Sequence, residues 1–332
     1  MLTIERGGQL STVQDAGRFG NQALGVTVGG AVDDVALKVG NWLVGNEHNA
    51  AAIEMTWLGP RLRFHQDTLI ALTGAQGEIH CGGAAVPMWR PVWIRKGALL
   101  CTDRIHEGAR VYLCLNGGVQ VESVLGGFGT HLGSHFGGHK GRSLSKDDVL
   151  NTASQANLYP HLLACLKSPN IDFASPRWQL SVWRDWSIAH EQQIRLLPGI
   201  DQSNLGIAGM QALHAQAFTV QAQSDRQALK LTGPALIASN YQYQSSGMCF
   251  GVVQLPPDGQ PLVLLADYQT TGGYPVIGVV ANVDRCRLAQ LVPGDTLRFA
   301  PITLAEAHQL LAAREKHMQS MLKNLKWQWA NG

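Results

Sequence analysis

The sequence predicts a mainly β protein, and three observations lead there. Glycine is abundant, at 37 of 332 residues. Short β-branched or aliphatic runs repeatedly end in Gly, Asn-Gly or Pro-Asp-Gly, the pattern of many strands joined by tight turns. Helical periodicity is confined to two places, one near each end of the chain. With 45% hydrophobic and only 15% charged residues, a chain of this length can bury a core large enough for one large or two ordinary domains, and two is the expectation.

Taken in order, Asp33 caps a short helix through Leu43, with Ala36, Val39 and Leu43 on one face and Gly45-Asn46 as its stop. Strands are expected at 69–72, 92–95, 110–115, 193–197, 218–221, 228–231, 251–255, 262–266, 276–280 and 296–299. The run Leu255-Pro256-Pro257-Asp258-Gly259-Gln260-Pro261 joins two of them as a hairpin, because proline presets φ and glycine accepts the left-handed turn position. Thr303-Leu304-Ala305-Glu306 forms a capping box that opens a C-terminal helix. It is expected to run to about Asn324, with Leu304, Ala307, Leu311, Met318 and Leu322 inward. Between 151 and 189 the alternation fades into a polar stretch with Trp178, Trp183 and Trp186, read as a connector. The expected domains are therefore an N-terminal β-barrel domain at 1–150, the connector, a C-terminal β-barrel domain at 190–302 and the helix at 303–327. Leu-Thr-Gly recurs at 72–74 and 231–233, each time closing an apolar run, a hint of duplicated β-domains.

Charge excludes several function classes. Lys plus Arg number 26 against 24 Asp plus Glu, and neither sign gathers into a stripe for nucleic acid or a membrane face. Small molecules or proteins are the expected partners. Met1 leads into Leu2-Thr3-Ile4-Glu5-Arg6 without a secretory signal pattern, and no apolar run reaches bilayer length, so a cytoplasmic location is expected. The six cysteines are scattered without a C-x-x-C, so neither a zinc knuckle nor a disulfide framework is indicated.

The most distinctive segment is Ala266-Asp267-Tyr268-Gln269-Thr270-Thr271-Gly272-Gly273-Tyr274-Pro275, directly after an apolar strand. A strand that delivers a carboxylate, an amide, two hydroxyls and two glycines to a loop makes a good site, because glycine lets a ligand approach backbone N–H donors. The same segment also reads as an elaborate turn, with Asp267 capping it. Near the N-terminus, Asp15 and Arg18 flank a tight bend, where a structural pair that holds the loop is the favoured reading. Arg142 and Arg226 are candidates for fork-like recognition of carboxylate or phosphate oxygens, or solvated surface residues. Residues 137–143 lack the G-x-x-x-x-G-K-[ST] spacing, which argues against a phosphate loop. His131, His135 and His139 recur every four residues, but Gly133, Gly137 and Gly138 argue against the helix that would align them, and no metal site is assigned. No G-x-S-x-G or H-E-x-x-H occurs, so a self-sufficient serine hydrolase or zinc peptidase is not supported.

Through residues 12–18, 30–33, 41–46, 53–56, 72–75, 197–199, 251–261 and 269–275, the chain resembles the family of 5-oxoprolinase C subunits. These are also called KipA-like or allophanate hydrolase subunit 2-like proteins and are related to the carboxyltransferase part of urea carboxylase. The resemblance implies a fold of two cyclophilin-like β-barrel domains with a few short helices and a C-terminal helix. It further implies that a B subunit (KipI-like, allophanate hydrolase subunit 1-like) and an A subunit (LamB/YcsF-like) act with this chain to open the lactam of 5-oxoproline to glutamate, using ATP with Mg²⁺. Under that reading Gln269, Thr270 and Thr271 stabilise developing charge, Arg226 is a charge partner, and Asp267 is a base or Mg²⁺ ligand. Asp15, Arg18, Arg142, Gln254, Gln260, Gly272, Gly273 and Tyr274 complete the substrate- and ATP-binding set. Two alternatives stand beside it: the carboxyltransferase of a biotin-dependent urea or allophanate-type enzyme, and a KipA-like regulatory binding protein. The chain departs from the family pattern at Gln227-Ala228-Leu229-Lys230, at Ser246, at Val276 and after Pro198-Gly199, removing charge close to the proposed site.

Overall fold

The computed structural model describes residues 1–153, 171–180, 191–239 and 244–331. The chain forms two compact units. The first comprises Met1–Arg18, Asp33–Trp186 and His317–Gly332, and the second comprises Phe19–Val32 and Ser187–Lys316. The second unit thus borrows a fourteen-residue excursion from the N-terminal part of the chain. Trp183 and Trp186 of the expected connector, and Cys165, lie outside the described residues.

The first unit carries an eleven-stranded sheet. Its strands are β1 (Leu2–Arg6), β2 (Leu10–Gln14), β3 (Ala52–Thr56), β4 (Arg61–Phe64), β5 (Thr68–Cys81), β6 (Ala84–Ala85), β7 (Pro91–Ile94), β8 (Leu99–Leu115), β9 (Val119–Gln120), β10 (Val149–Thr152) and β11 (Phe173–Ala174). The main path runs β11-β7-β5-β8-β4-β1-β10-β9, with β2 and β3 paired to each other and β3 also to β8. The long β5–β8 ladder is its spine, and its register shifts three times between Gly74 and Ile79. Helix α1 (Asp34–Leu43) begins as expected: the Asp33 carboxylate accepts from Ala36 N at 2.9 Å, and Ala36, Val39 and Leu43 are buried.

The second unit is built on a closed seven-stranded barrel. It contains β12 (Glu191–Pro198), β13 (Phe218–Val220), β14 (Ala228–Thr232), β15 (Ser246–Gly247), β16 (Val252–Gln254), β17 (Leu262–Leu264), β18 (Thr271–Gly272), β19 (Val276–Val280) and β20 (Thr296–Pro301). The barrel order is β12-β19-β16-β17-β14-β13-β20, closed by the parallel pair β12–β20, while β15 and β18 make a separate two-stranded ribbon. Ten of these twenty strands fall on the ten expected segments, so the mainly β reading is borne out. Leu255–Pro261 is the expected hairpin, with Gln254 opposite Leu262.

Alternation along the barrel strands buries both faces. Val253, Leu229, Val263 and Ile277 fill the interior with Phe218 and Phe299, whose rings lie 5.8 Å apart. Their neighbours Val252, Ala228, Leu264 and Val276 form an outer cluster with Met248 and Tyr268. Because strand side chains alternate, Gln254 falls on the Val252 side, among that outer cluster.

Helices α2 (Gly206–Ala215) and α3 (Arg285–Gln290) are additions to the sequence expectation. Helix α4 (Leu304–Asn331) starts with the expected capping box, Thr303 N donating to Glu306 Oε2 at 2.9 Å and Glu306 N to Thr303 Oγ1 at 3.3 Å. Two features of α4 differ from expectation. It continues past Asn324, because Leu325 and Trp329 extend the buried stripe of Ala307, Arg314 and Met318, and Leu304 at its first residue is exposed. No helix among the described residues is long and apolar enough to cross a membrane.

Candidate functional site

Strand β17 delivers the distinctive segment. Beyond Leu264 the backbone stays against the start of β14: Leu265 N donates to Gln227 O at 2.8 Å and Asp267 N to Arg226 O at 2.9 Å. That register sets Arg226 and Asp267 side by side, 41 residues apart in sequence. Arg226 Nε and Nη2 donate to the two Asp267 carboxylate oxygens at 2.9 and 3.0 Å, and Nη2 also donates to Gly30 O at 2.7 Å. Both side chains are almost fully buried, 3% and 4% exposed. The excursion is tied to the same turn twice more, by Thr27 Oγ1 to Ala266 O at 3.2 Å and Gln22 Nε2 to the Tyr268 hydroxyl at 3.1 Å.

Asp267 and Arg226 therefore form a buried clamp. A carboxylate whose two oxygens both accept from a guanidinium, out of reach of water, is poorly placed to take a substrate proton or bind Mg²⁺, which prefers an octahedral, partly hydrated shell. Among the described residues no group of three His, Cys, Asp or Glu is arranged to hold a metal. The Asp267 cluster does not fit a Mg²⁺ site.

Two residues beyond Asp267, Gln269 enters a polar cradle. Gln254, at the end of β16, is fully buried; its Oε1 accepts from Gln269 Nε2 at 3.3 Å, and its Nε2 has no hydrogen-bond partner among the described residues. Gly272 passes directly over it: a Cβ at that position would lie 2.4 Å from Gln254 Nε2, 3.1 Å from Gln269 Nε2 and 3.2 Å from Met248 Cε, so any larger residue would have to push these side-chain ends aside. The ribbon of β15 and β18 holds this crossing, with Ser246 opposite Gly272, and Met248 N donates to Thr270 O at 2.9 Å. Gln269, Thr271, Gly273 and Tyr274 are exposed and Thr270 half-buried. The result is a buried carboxamide floor below an accessible rim of hydroxyl, amide and backbone groups.

The remaining expected site residues are engaged elsewhere. The Gln260 amide ties its hairpin to Gly233, accepting from Gly233 N at 2.8 Å and donating to Gly233 O at 3.3 Å. Asp15, Arg18 and Arg142 belong to the first unit. Asp15 accepts from Gly17 N at 2.9 Å and Phe128 N at 2.6 Å. Arg18, almost fully buried, donates to Val124 O and Gly129 O and lies over the Phe136 ring at 4.7 Å. Arg142 grips Asp148 with both terminal nitrogens, at 2.7 and 2.6 Å, and this hydrogen bonding holds the Asp148 carboxyl well below the usual carboxylate range. His139 Nε2 lies 3.1 Å from Asp148, while His131 Nδ1 accepts from Ser134 N.

Sequence reasoning missed a buried network in the first unit. The Tyr112 hydroxyl donates to Glu54 Oε2 at 2.6 Å and accepts from Asp33 N at 2.9 Å, with Arg110 Nε 3.8 Å from Glu54. Burial, and then the Glu54 carboxylate, push the Tyr112 hydroxyl well above its ordinary pKa. A glutamate inside the apolar run Ala52-Ile53-Glu54-Met55 was the available signal. The buried thiols read as inert: burial, with Asp172 nearby, pushes Cys81 up to about 12, and burial likewise raises Cys114.

Residues 24–301 match the family described as carboxyltransferase domain, subdomain A and B. The chain belongs to this family. It is also 33% identical over 312 residues to the C subunit of 5-oxoprolinase from Haemophilus influenzae, covering 94% of each chain. Against the C subunit of 5-oxoprolinase from Escherichia coli it is 34% identical over 333 residues, covering 100% of this chain and 99% of the relative. Among solved structures, the urea carboxylase of Kluyveromyces lactis superposes with a TM-score of 0.85 at 26% identity, over 96% of this chain but only 29% of that one. The full-length relatives are thus named as components of 5-oxoprolinase, and the structural relative contains this fold as one part of a longer enzyme.

Proposed function

We propose that this chain is the C subunit of an ATP-dependent 5-oxoprolinase and works with A and B subunits to open the lactam of 5-oxoproline to L-glutamate. The observation that carries this reading is the end-to-end match, at 33% and 34% identity, to two proteins of that name. The geometry is compatible in kind. A lactam carbonyl is a poor electrophile, and cleavage needs donors aimed at the oxygen where negative charge develops. The Thr270 and Thr271 hydroxyls and the backbone around Gly272 and Gly273 supply such donors on an accessible rim. Arg226 and Asp267 position that rim from below. ATP, when bound with Mg²⁺, would supply phosphoryl activation of the carbonyl oxygen; this chain has no phosphate-loop spacing, and the reading places the nucleotide at a site completed by a partner protein.

A second reading, the carboxyltransferase part of a biotin-dependent urea or allophanate-type enzyme, is favoured by the family match and by the urea carboxylase superposition. One experiment separates the two. The chain is mixed with its B and A partners, and 5-oxoproline-dependent ATP hydrolysis and glutamate release are followed, each component omitted in turn. Turnover that requires all components is the expected result. Absence of turnover, with a biotinylated protein co-purifying, overturns the oxoprolinase reading in favour of the second.

A further inference from the structure

Gln254 is the one carboxamide of the cradle whose donor is left over. Its side chain is fully buried and its Nε2 has no partner among the described residues, although an orphaned buried donor is costly and rare in folded proteins. The position beside it is occupied by the exposed side chain of Gln269, which donates from its own carboxamide to Gln254 Oε1 at 3.3 Å and leaves Nε2 unmet. A primary carboxamide presents a donor and an acceptor side by side. Its complement is an amide whose C=O and N–H lie on the same edge, which a lactam has and an ordinary trans secondary amide lacks.

We infer that Gln254 is a specificity-determining residue that reads the syn C=O/N–H edge of a cyclic amide, and that the Gln269 carboxamide holds this place until substrate displaces it. This rests on the lactam-cleaving reading above and deepens it. The substrate N–H takes over the bond to Gln254 Oε1, and the substrate carbonyl accepts from Nε2, so both polar atoms of Gln254 are satisfied only in the bound state. The exposed Gln269 side chain can swing outward, whereas Gln254 is fully buried beneath Gly272, where a Cβ would lie 2.4 Å from its Nε2. A lactone keeps the carbonyl but offers an oxygen where the lactam has N–H. It leaves Oε1 facing a second acceptor, and a site built to bond an N–H rejects such an analogue.

The test is the affinity series 2-pyrrolidinone, γ-butyrolactone and N-methyl-2-pyrrolidinone, followed by ligand-observed NMR on the full chain, with turnover of 5-oxoproline by the assembled A, B and C subunits measured in parallel. The unsubstituted lactam is expected to bind roughly 10-fold or more tightly than either analogue. Gln254→Met should abolish that preference. Gln269→Ala, a change on the exposed rim, should keep the preference and tighten lactam binding, because the competitor is gone. Equal binding of all three probes by the unaltered chain, or weaker lactam binding by Gln269→Ala, overturns the inference even if the complex turns over. A preserved preference in a complex that never turns over sustains Gln254 as an amide-edge reader and overturns the oxoprolinase assignment instead.

Discussion

Replacing Arg226 by alanine should be among the most damaging single changes in the second unit. Its guanidinium and the Asp267 carboxylate are 3% and 4% exposed, so water cannot take the place of the lost partner. Removing one member of a buried ion pair leaves the other charged and unpaired, at a cost of about 3–5 kcal/mol. Loss of the 2.7 Å bond to Gly30 O adds about 1 kcal/mol. Against a total stability on the order of 5–15 kcal/mol for a domain, that is a large share. The double replacement Arg226→Met with Asp267→Leu removes both charges and should cost clearly less than Arg226→Ala alone, since apolar side chains of similar volume often substitute for a buried pair with little net change. Urea denaturation followed by circular dichroism measures the unaltered chain and both variants, and adding Arg226→Met and Asp267→Leu singly completes the cycle that isolates the pair. If Arg226→Ala loses less than about 1 kcal/mol, or the double variant is the less stable of the two, the clamp is not what holds this turn.

Two further predictions concern single residues. Gly272→Ala places a methyl 2.4 Å from Gln254 Nε2; overpacking of this kind costs about 1–3 kcal/mol, so reduced thermal stability and lower turnover in the assembled complex are expected, and an unchanged protein would show that the crossing has room to yield. Asp148→Asn removes the negative charge and one of the two oxygens that accept from the Arg142 nitrogens and from Ser145 N at 2.8 Å, a loss of about 1–3 kcal/mol, towards the lower end because Arg142 is partly solvated. The Asp148 pKa is depressed on folding, chiefly by the Arg142 hydrogen bond, so its contribution is present above the unfolded carboxylate value of about 3.9 and is lost as pH falls towards the folded value. The unaltered chain should therefore lose stability in acid more steeply than Asp148→Asn, and parallel acid-denaturation curves would refute that role.

Features whose partners lie close in sequence were legible. Asp33 with Ala36 and Thr303 with Glu306 are caps closed within three residues, and the turn chemistry of 255–261 specifies its hairpin locally. Arg142 pairs with Asp148 only six residues away, so its engagement was within reach of local sequence reading, through the turn from Ser143 to Asp148. Glu54 and Tyr112 meet only because β3 pairs with β8, where Glu54 and Tyr112 are register partners. Helix α2 lacked the amphipathic stripe that marks a surface helix: only Leu213 is buried in it.

By itself the sequence determined the mainly β class, the strands with strong alternation, both capped helices and the family, since each rests on short-range pattern or on collinear likeness along the chain. It also marked 266–275 as the segment most worth attention. Which polar groups there remain available was decided only by tertiary structure. Asp267 is consumed by an arginine 41 residues away, Gln260 is consumed by the backbone of Gly233, and among the described residues Gln254 keeps an unused amide donor beneath Gly272, which a separate ribbon delivers. A side chain's chemistry is written in its identity, but its free donors and acceptors are what remains after long-range pairing has taken its share, and that pairing is a property of strand register rather than of sequence distance.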